Sequence, residues 1–147
     1  MVYDPVKQEL FAATRGGGAT LNNRRIRVTQ RPGLEGALLG TGIPFRKHQN
    51  LDKYLETMKV LLPGTAGVRR AGSAALDLAY VAAGRLDGFW EFGLNEWDMA
   101  AGVLLVQEAG GLIGEPNGGK NHLKSGDVVA GSPKVYAEML EALKPVL

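Results

Sequence analysis

The sequence predicts an α/β fold in which the end of an antiparallel sheet leads into a mostly parallel sheet covered by helices. Three observations carry this. Residues 1–36 read as short strands broken by glycine and asparagine turns. From Ala37 onward short apolar runs alternate with helical stretches, the pattern of strand–helix units. The stretches 74–83 and 99–106 are apolar nearly all round, so each helix must be buried on more than one side. The chain divides accordingly into 1–36, strands from the end of an N-terminal antiparallel sheet, and 37–147, a C-terminal α/β domain.

The elements follow in order. Strands at 9–15 and 25–29 flank the turn chemistry of Gly16-Gly17-Gly18 and Leu21-Asn22-Asn23. Ile26 and Val28 alternate with Arg25, Arg27 and Thr29, as in a sheet with one wet face. Arg31-Pro32-Gly33 breaks the chain. A strand at 37–41 closes at Gly42-Ile43-Pro44. Leu51, Leu55, Met58 and Leu62 stand at helical spacing and predict an amphipathic helix over 51–62. A short strand at 67–70 precedes a helix at 73–83, with Ser73 as N-cap and Gly84 to stop it. Strands at 86–92, 112–113 and 128–130 follow, the last two separated by an Asn117-Gly118-Gly119 turn. Ser132-Pro133 opens a final helix, with proline suited to the first turn.

Composition narrows the classes. At 147 residues, 45% hydrophobic and 22% charged, the chain is globular and large enough for a core. A formal net charge of +2 gives no footprint for direct nucleic-acid binding. With no cysteine there is no disulfide, thiolate nucleophile or cysteine-bound zinc. No leader-like N-terminus and no membrane-length apolar run are present, so the expectation is a soluble, cytoplasmic protein with no membrane partner.

Candidate chemistry concentrates in the second half. Asp98 sits at the mouth of an apolar helix that ends in Gly110-Gly111. A first-turn acid ordinarily just helps a helix start. Its setting between Trp97 and a run of small residues favours a metal-ligand reading, because a helix N-terminus lets carboxylate, phosphate and metal share one place. Glu91 ends a strand, where open α/β sheets bind ligands, although a strand-end acid facing water is the plainer reading. In Gly72-Ser73-Ala74 a capping serine is ordinary helix chemistry, and the same turn offers N–H groups to a polyol or phosphate oxygen. Of Arg69 and Arg70, period 2 lets only one face such a pocket. Asp77 reads as a structural acid bonded to backbone or to one of these arginines. Gly16-Gly17-Gly18 resembles a phosphate cradle but lacks a P-loop ending, so a hairpin turn is expected. His48 and His122 read as surface residues, and Ser132 as a helix cap.

These residues resemble the inositol monophosphatase family along nearly the whole chain. The resemblance rests on Val2-Tyr3-Asp4-Pro5 through Leu21-Asn22, on 70–80 with 84–91, and on Trp97-Asp98 followed by Glu108-Ala109-Gly110-Gly111. It implies a layered sugar-phosphatase-type fold and a magnesium-dependent phosphomonoesterase, often homodimeric, acting on a small phosphorylated polyol. Asp98 is then a metal ligand. Glu91, seven residues upstream, accepts hydrogen bonds from substrate hydroxyls, and Gly72, Ser73 and Ala74 line the substrate pocket. The family's Asp-Pro-x-Asp-Gly-Thr motif is absent, so the resemblance implies a catalytically incomplete C-terminal portion, expected to lack turnover alone. Two alternatives stay open: a protein-binding role in a bacterial transcription complex, or action on fructose 1,6-bisphosphate or adenosine 3′,5′-bisphosphate.

Overall fold

Glycine and asparagine turns fold the first residues into an antiparallel meander. A computed structural model describes all 147 residues. Strands β1 (Val2–Asp4), β2 (Glu9–Thr14), β3 (Gly18–Leu21) and β4 (Arg24–Arg25) pair in that order. Asn22 and Asn23 both adopt positive φ, 48° and 66°, the mirror-image turn that matches the twist of a two-residue hairpin. The strand expected at 25–29 pairs only over Arg24–Arg25. Beyond it, Val28 N–H bonds the carbonyl of Ala109 at 3.1 Å, so this segment leaves the sheet to seal a helix end.

The second sheet holds β5 (Leu38–Thr41), β6 (Gly67–Arg69), β7 (Gly88–Glu91), β8 (Leu112–Gly114) and β9 (Val128–Gly131), in the order β6-β5-β7-β9-β8. β5 runs parallel to both β6 and β7, whereas β9 runs antiparallel to β7 and β8. The sheet is therefore mixed, parallel at the β6–β5–β7 side and antiparallel beyond. The reason lies in the connection from β8 to β9. It contains only turns and the one-turn helix α4 (His122–Ser125), with no crossover helix of the kind that parallel strands need.

Helices fill the spaces between and outside the sheets. α2 (Ala74–Ala82) and α3 (Glu96–Glu108) are sandwiched between them, as their apolar circumference requires. One continuous core joins Phe11 and Ala19 of the first sheet, Leu78 and Val81 of α2, Met99 and Val106 of α3, and Phe89 and Val128 of the second sheet. Full burial of each such large side chain contributes about 1.5–3 kcal/mol. Gly102 lets the helices meet: a Cβ there would stand 2.6 Å from the Cβ of Leu78. On the outer face of the second sheet, α1 (Leu51–Leu61) and α5 (Pro133–Leu143) cover Leu39, Trp90 and Val129 with Tyr54, Leu61, Val135 and Met139. A short 3₁₀ turn (Lys144–Val146) ends the chain. No helix is long and apolar enough to cross a membrane.

Candidate functional site

The parallel half of the second sheet determines where a site can form. β5 and β7 end side by side, and the N-termini of α2 and α3 face that edge. Strand carboxyl ends and helix amino ends thus share one crevice, the usual ligand position in open α/β sheets. A cavity of about 370 Å³ occupies it, with Asp77, Glu91, Asp98, Arg70 and the Gly72–Ser73–Ala74 turn in its wall. The expected metal ligand Asp98 and the expected substrate-binding residues Glu91, Gly72, Ser73 and Ala74 all line this one space. Ile43, Phe45 and Trp97 form an apolar rim; Phe45 is 76% exposed and Trp97 81%.

Asp98 combines both of its sequence readings. The Asn95 N–H donates to its Oδ2 at 3.1 Å, which closes the first turn of α3. Its Oδ1 has no protein partner, and the half-buried side chain lines the cavity. One oxygen holds the helix and the other is free for a ligand.

Glu91 follows the last buried residue of β7 and stands against Gly42, where any Cβ would collide with its carboxyl group. Burial pushes its pKa up to about 7, helped by the negative charges of Asp77 and Asp98 and opposed by Arg70. Asp77 is 3% exposed and makes neither the backbone bond nor the arginine bond expected of it. Its carboxyl faces the cavity, and burial raises its pKa to about 6, with the charge of Arg70 opposing. Arg70 therefore balances two neighbouring acids through space. Arg69 turns away and donates to the carbonyl of Val68.

Ser73 caps α2 by accepting from Leu76 N–H at 3.3 Å, and Gly72 before it adopts φ +98°. The amides of Ala74 and Ala75 have no protein acceptor, so the turn presents free donors to the cavity. Beneath lies a buried relay. Thr41 Oγ1 donates to the Trp90 carbonyl at 2.9 Å, so the Tyr54 hydroxyl donates to Thr41, also at 2.9 Å. Trp90 Nε1 donates to Thr57, and Thr57 donates back to the carbonyl of Tyr54. Every polar group in this floor is satisfied, which fixes β5, β7 and α1 in register.

The donor set does not make a metal cage alone. No group of three or more His, Asp or Glu side chains is close enough to hold an ion. Asp98 offers one free carboxylate oxygen, fewer than the six oxygens of a magnesium shell.

The remaining sequence candidates fall outside the cavity. Gly16 and Gly18 N–H groups both donate to the carboxylate of Glu108, at 3.1 and 2.9 Å, which holds that carboxyl below its usual range. The apparent phosphate cradle is filled by the chain itself. His48 is exposed as expected. His122 is not: it is 6% exposed in α4, and burial, with Lys120 beside it, lowers its pKa. Its polar sequence neighbours concealed that α4 packs against α3. Ser132 stands at the N-cap of α5 without a capping bond. Sequence reasoning missed the roles of Gly42, which makes room for the Glu91 carboxyl, and of Gly40, where a Cβ would meet Leu86 and Phe89 beside the site. Two glycines at the carboxyl end of a predicted strand were the available signal.

Comparison with known proteins identifies the family and the fold. The family described as the inositol monophosphatase family matches residues 1–145. A protein of Pseudomonas aeruginosa named Nus factor SuhB is 60% identical, with all of this chain covering 55% of that protein. The Nus factor SuhB of Escherichia coli strain K12 is 50% identical, again over 100% of this chain and 55% of its own length. Among solved structures, the extragenic suppressor protein suhB from Bartonella henselae superposes with a TM-score of 0.92 at 45% identity, over 97% of this chain and 54% of that one. An inositol monophosphatase from Anabaena superposes with a TM-score of 0.91 at 40% identity, covering 99% and 59%. The chain spans about half the length of the curated relatives it matches.

Proposed function

This chain belongs to the inositol monophosphatase family, and we propose that it carries the substrate-side part of a magnesium-dependent phosphomonoesterase site for a small phosphorylated polyol such as inositol 1-phosphate. One observation supports this above all: the free oxygen of Asp98, the Glu91 carboxyl and the open amides of Ala74 and Ala75 converge on one cavity. Glu91 and Asp77 hold and orient polyol hydroxyls, and the first turn of α2 donates to phosphate or hydroxyl oxygens. With a pKa of about 7, Glu91 offers both an accepting and a donating form near neutrality. Asp98 contributes one carboxylate to the metal, whose further ligands come from outside this chain. Magnesium, when bound, supplies Lewis-acid polarisation of the phosphoryl group and an activated water. Homodimerisation and a cytoplasmic location belong to the same proposal.

The test is reconstitution. The chain is mixed with the part of the P. aeruginosa relative that it does not cover, and magnesium-dependent hydrolysis of inositol 1-phosphate is followed. Fructose 1,6-bisphosphate and adenosine 3′,5′-bisphosphate serve as competitors. The chain alone is expected to show no turnover, and Asp98→Ala should lower the reconstituted rate about 10²–10³-fold, the scale for losing a main charge-stabilising group. Full turnover by the chain alone, or a rate indifferent to Asp98→Ala, would refute the assignment.

A second reading draws on the apolar rim. Trp97, Phe45 and Ile43 are exposed around the cavity mouth, and two relatives bear the name Nus factor. A protein-binding role in a bacterial transcription complex fits such a surface. Metal-independent binding of RNA polymerase or an elongation factor, weakened by Trp97→Ala, would favour it; binding unaffected by that change would count against it.

A further inference from the structure

At the opposite end of the helical layer lies a second cavity of about 570 Å³, and its chemistry is the reverse of the first. The loop joining the two sheets, the C-terminus of α3 and the N-terminus of α5 enclose it. Arg27, Arg31 and Lys134 line it, and no carboxylate does. Arg31 Nε is paired with Asp87 at 3.0 Å, behind the wall, whereas Arg27 and Lys134 have no acidic partner. Two cations therefore remain uncompensated.

The hydrogen bonding shows that the space is short of an acceptor. α5 is an eleven-residue helix whose first turn is uncapped: Ser132 makes no side-chain cap bond, and Pro133 has no N–H. The N–H groups of Lys134 and Val135 have no protein acceptor. Ser132 is only 1% exposed, yet its Oγ has no partner, and Thr29 Oγ1 in the same wall is also buried and unpartnered. Unsatisfied buried hydroxyls are costly and uncommon in a folded protein. Free helix amides, two unpaired cations and two hydroxyl groups without partners are the donor set that a tetrahedral dianion uses.

We propose that this cavity is a binding site for phosphate, taken either as the free ion or as the phosphoryl group of a small monoester. Its volume lies within the range of small-molecule sites and exceeds what one phosphate fills, which leaves room for an organic substituent. The site is separate from the acidic cavity and does not rest on the phosphatase reading.

Titration of the ¹⁵N-labelled chain, in chelator and without metal, tests it with inorganic phosphate and with adenosine 5′-monophosphate as probes. The Lys134 and Val135 amides should shift saturably, with a dissociation constant of about 1 mM. Lys134→Ala and Arg27→Gln should each weaken binding about tenfold, the scale of one charge-assisted contact. Lys134→Arg should keep it. Equal response to both probes assigns a monoester site, and response to inorganic phosphate alone assigns a free-phosphate site. Shifts confined to Ala74 and Ala75, or linear drift without saturation, would overturn the proposal. Because the wild-type titration alone decides this, a variant that fails to fold does not weaken the test.

Discussion

Two glycine-bearing turns in this chain, Gly16–Gly18 and Gly72–Ala74, offer the same chemistry and end in opposite states. Each directs backbone N–H groups outward around glycines of positive φ. At the hairpin those groups close on Glu108, an acid from the far end of α3. At the start of α2 the amides of Ala74 and Ala75 remain open and face a cavity lined by three carboxyl groups and two arginines. Amide geometry alone does not make a binding site. What matters is whether the fold delivers an internal acceptor to it. The hairpin turn has become a clasp between layers, and the helix turn has kept its donors for something else.

Both turns hang on the contact between α2 and α3, so a change there should disturb them together. Gly102→Val places a side chain against the Cβ of Leu78 and should destabilise the chain by about 3 kcal/mol, read by urea denaturation. The open end should be distinguished next by pH. The folded state holds a proton on Glu91 up to about pH 7, while the unfolded chain releases it near the ordinary 4.5. Stability is then highest below pH 4.5 on this account and falls as pH rises through 7. Partial exposure and coupling to Asp77 reduce the loss to about 2 kcal/mol. Glu91→Gln should remove the Glu91 share of that slope, leaving the smaller one that Asp77 contributes below about pH 6. A flat pH profile in the unaltered chain would contradict the buried acid pair. Ser73→Ala should cost about 1 kcal/mol through the lost cap, visible as a lowered Tm. Smallest of all, Glu108→Gln should loosen the hairpin in hydrogen exchange at Gly16 and Gly18 without altering a reconstituted activity. Since the Glu108 pKa is lowered, its contribution to stability should be present above its ordinary pKa and vanish as pH falls.

Much of this arrangement was legible in the sequence. Ser73, Gly84 and Pro133 mark helix ends by local chemistry, and the structure uses each of them there. The apolar circumference of α2 and α3 gave their position between layers. Glu91 and Asp98 could be placed together because a strand end and the following helix start are linked by a short loop. Asp77 was harder: its role depends on an unpredictable juxtaposition with β5, where a Cβ on Gly40 would come into van der Waals contact with its carboxyl. His122 was hidden by its polar neighbours, since burial there comes from packing on α3 rather than from any local pattern. The antiparallel half of the second sheet was illegible for a similar reason. Short apolar strands carry no mark of direction, which is decided by the connection between them.

The placement of the two tryptophans has an optical consequence. Trp90 is fully buried, its ring stacked on that of Tyr54 with centroids 5.9 Å apart and planes 13° from parallel, and Trp97 stands in solvent at the cavity mouth. Their emission should separate into a blue, quencher-resistant component and a red, iodide-accessible one. A molecule entering the acidic cavity would touch only the second. The chain thus contains its own indicator for occupancy at one end, and an internal reference that stays silent unless the floor itself gives way.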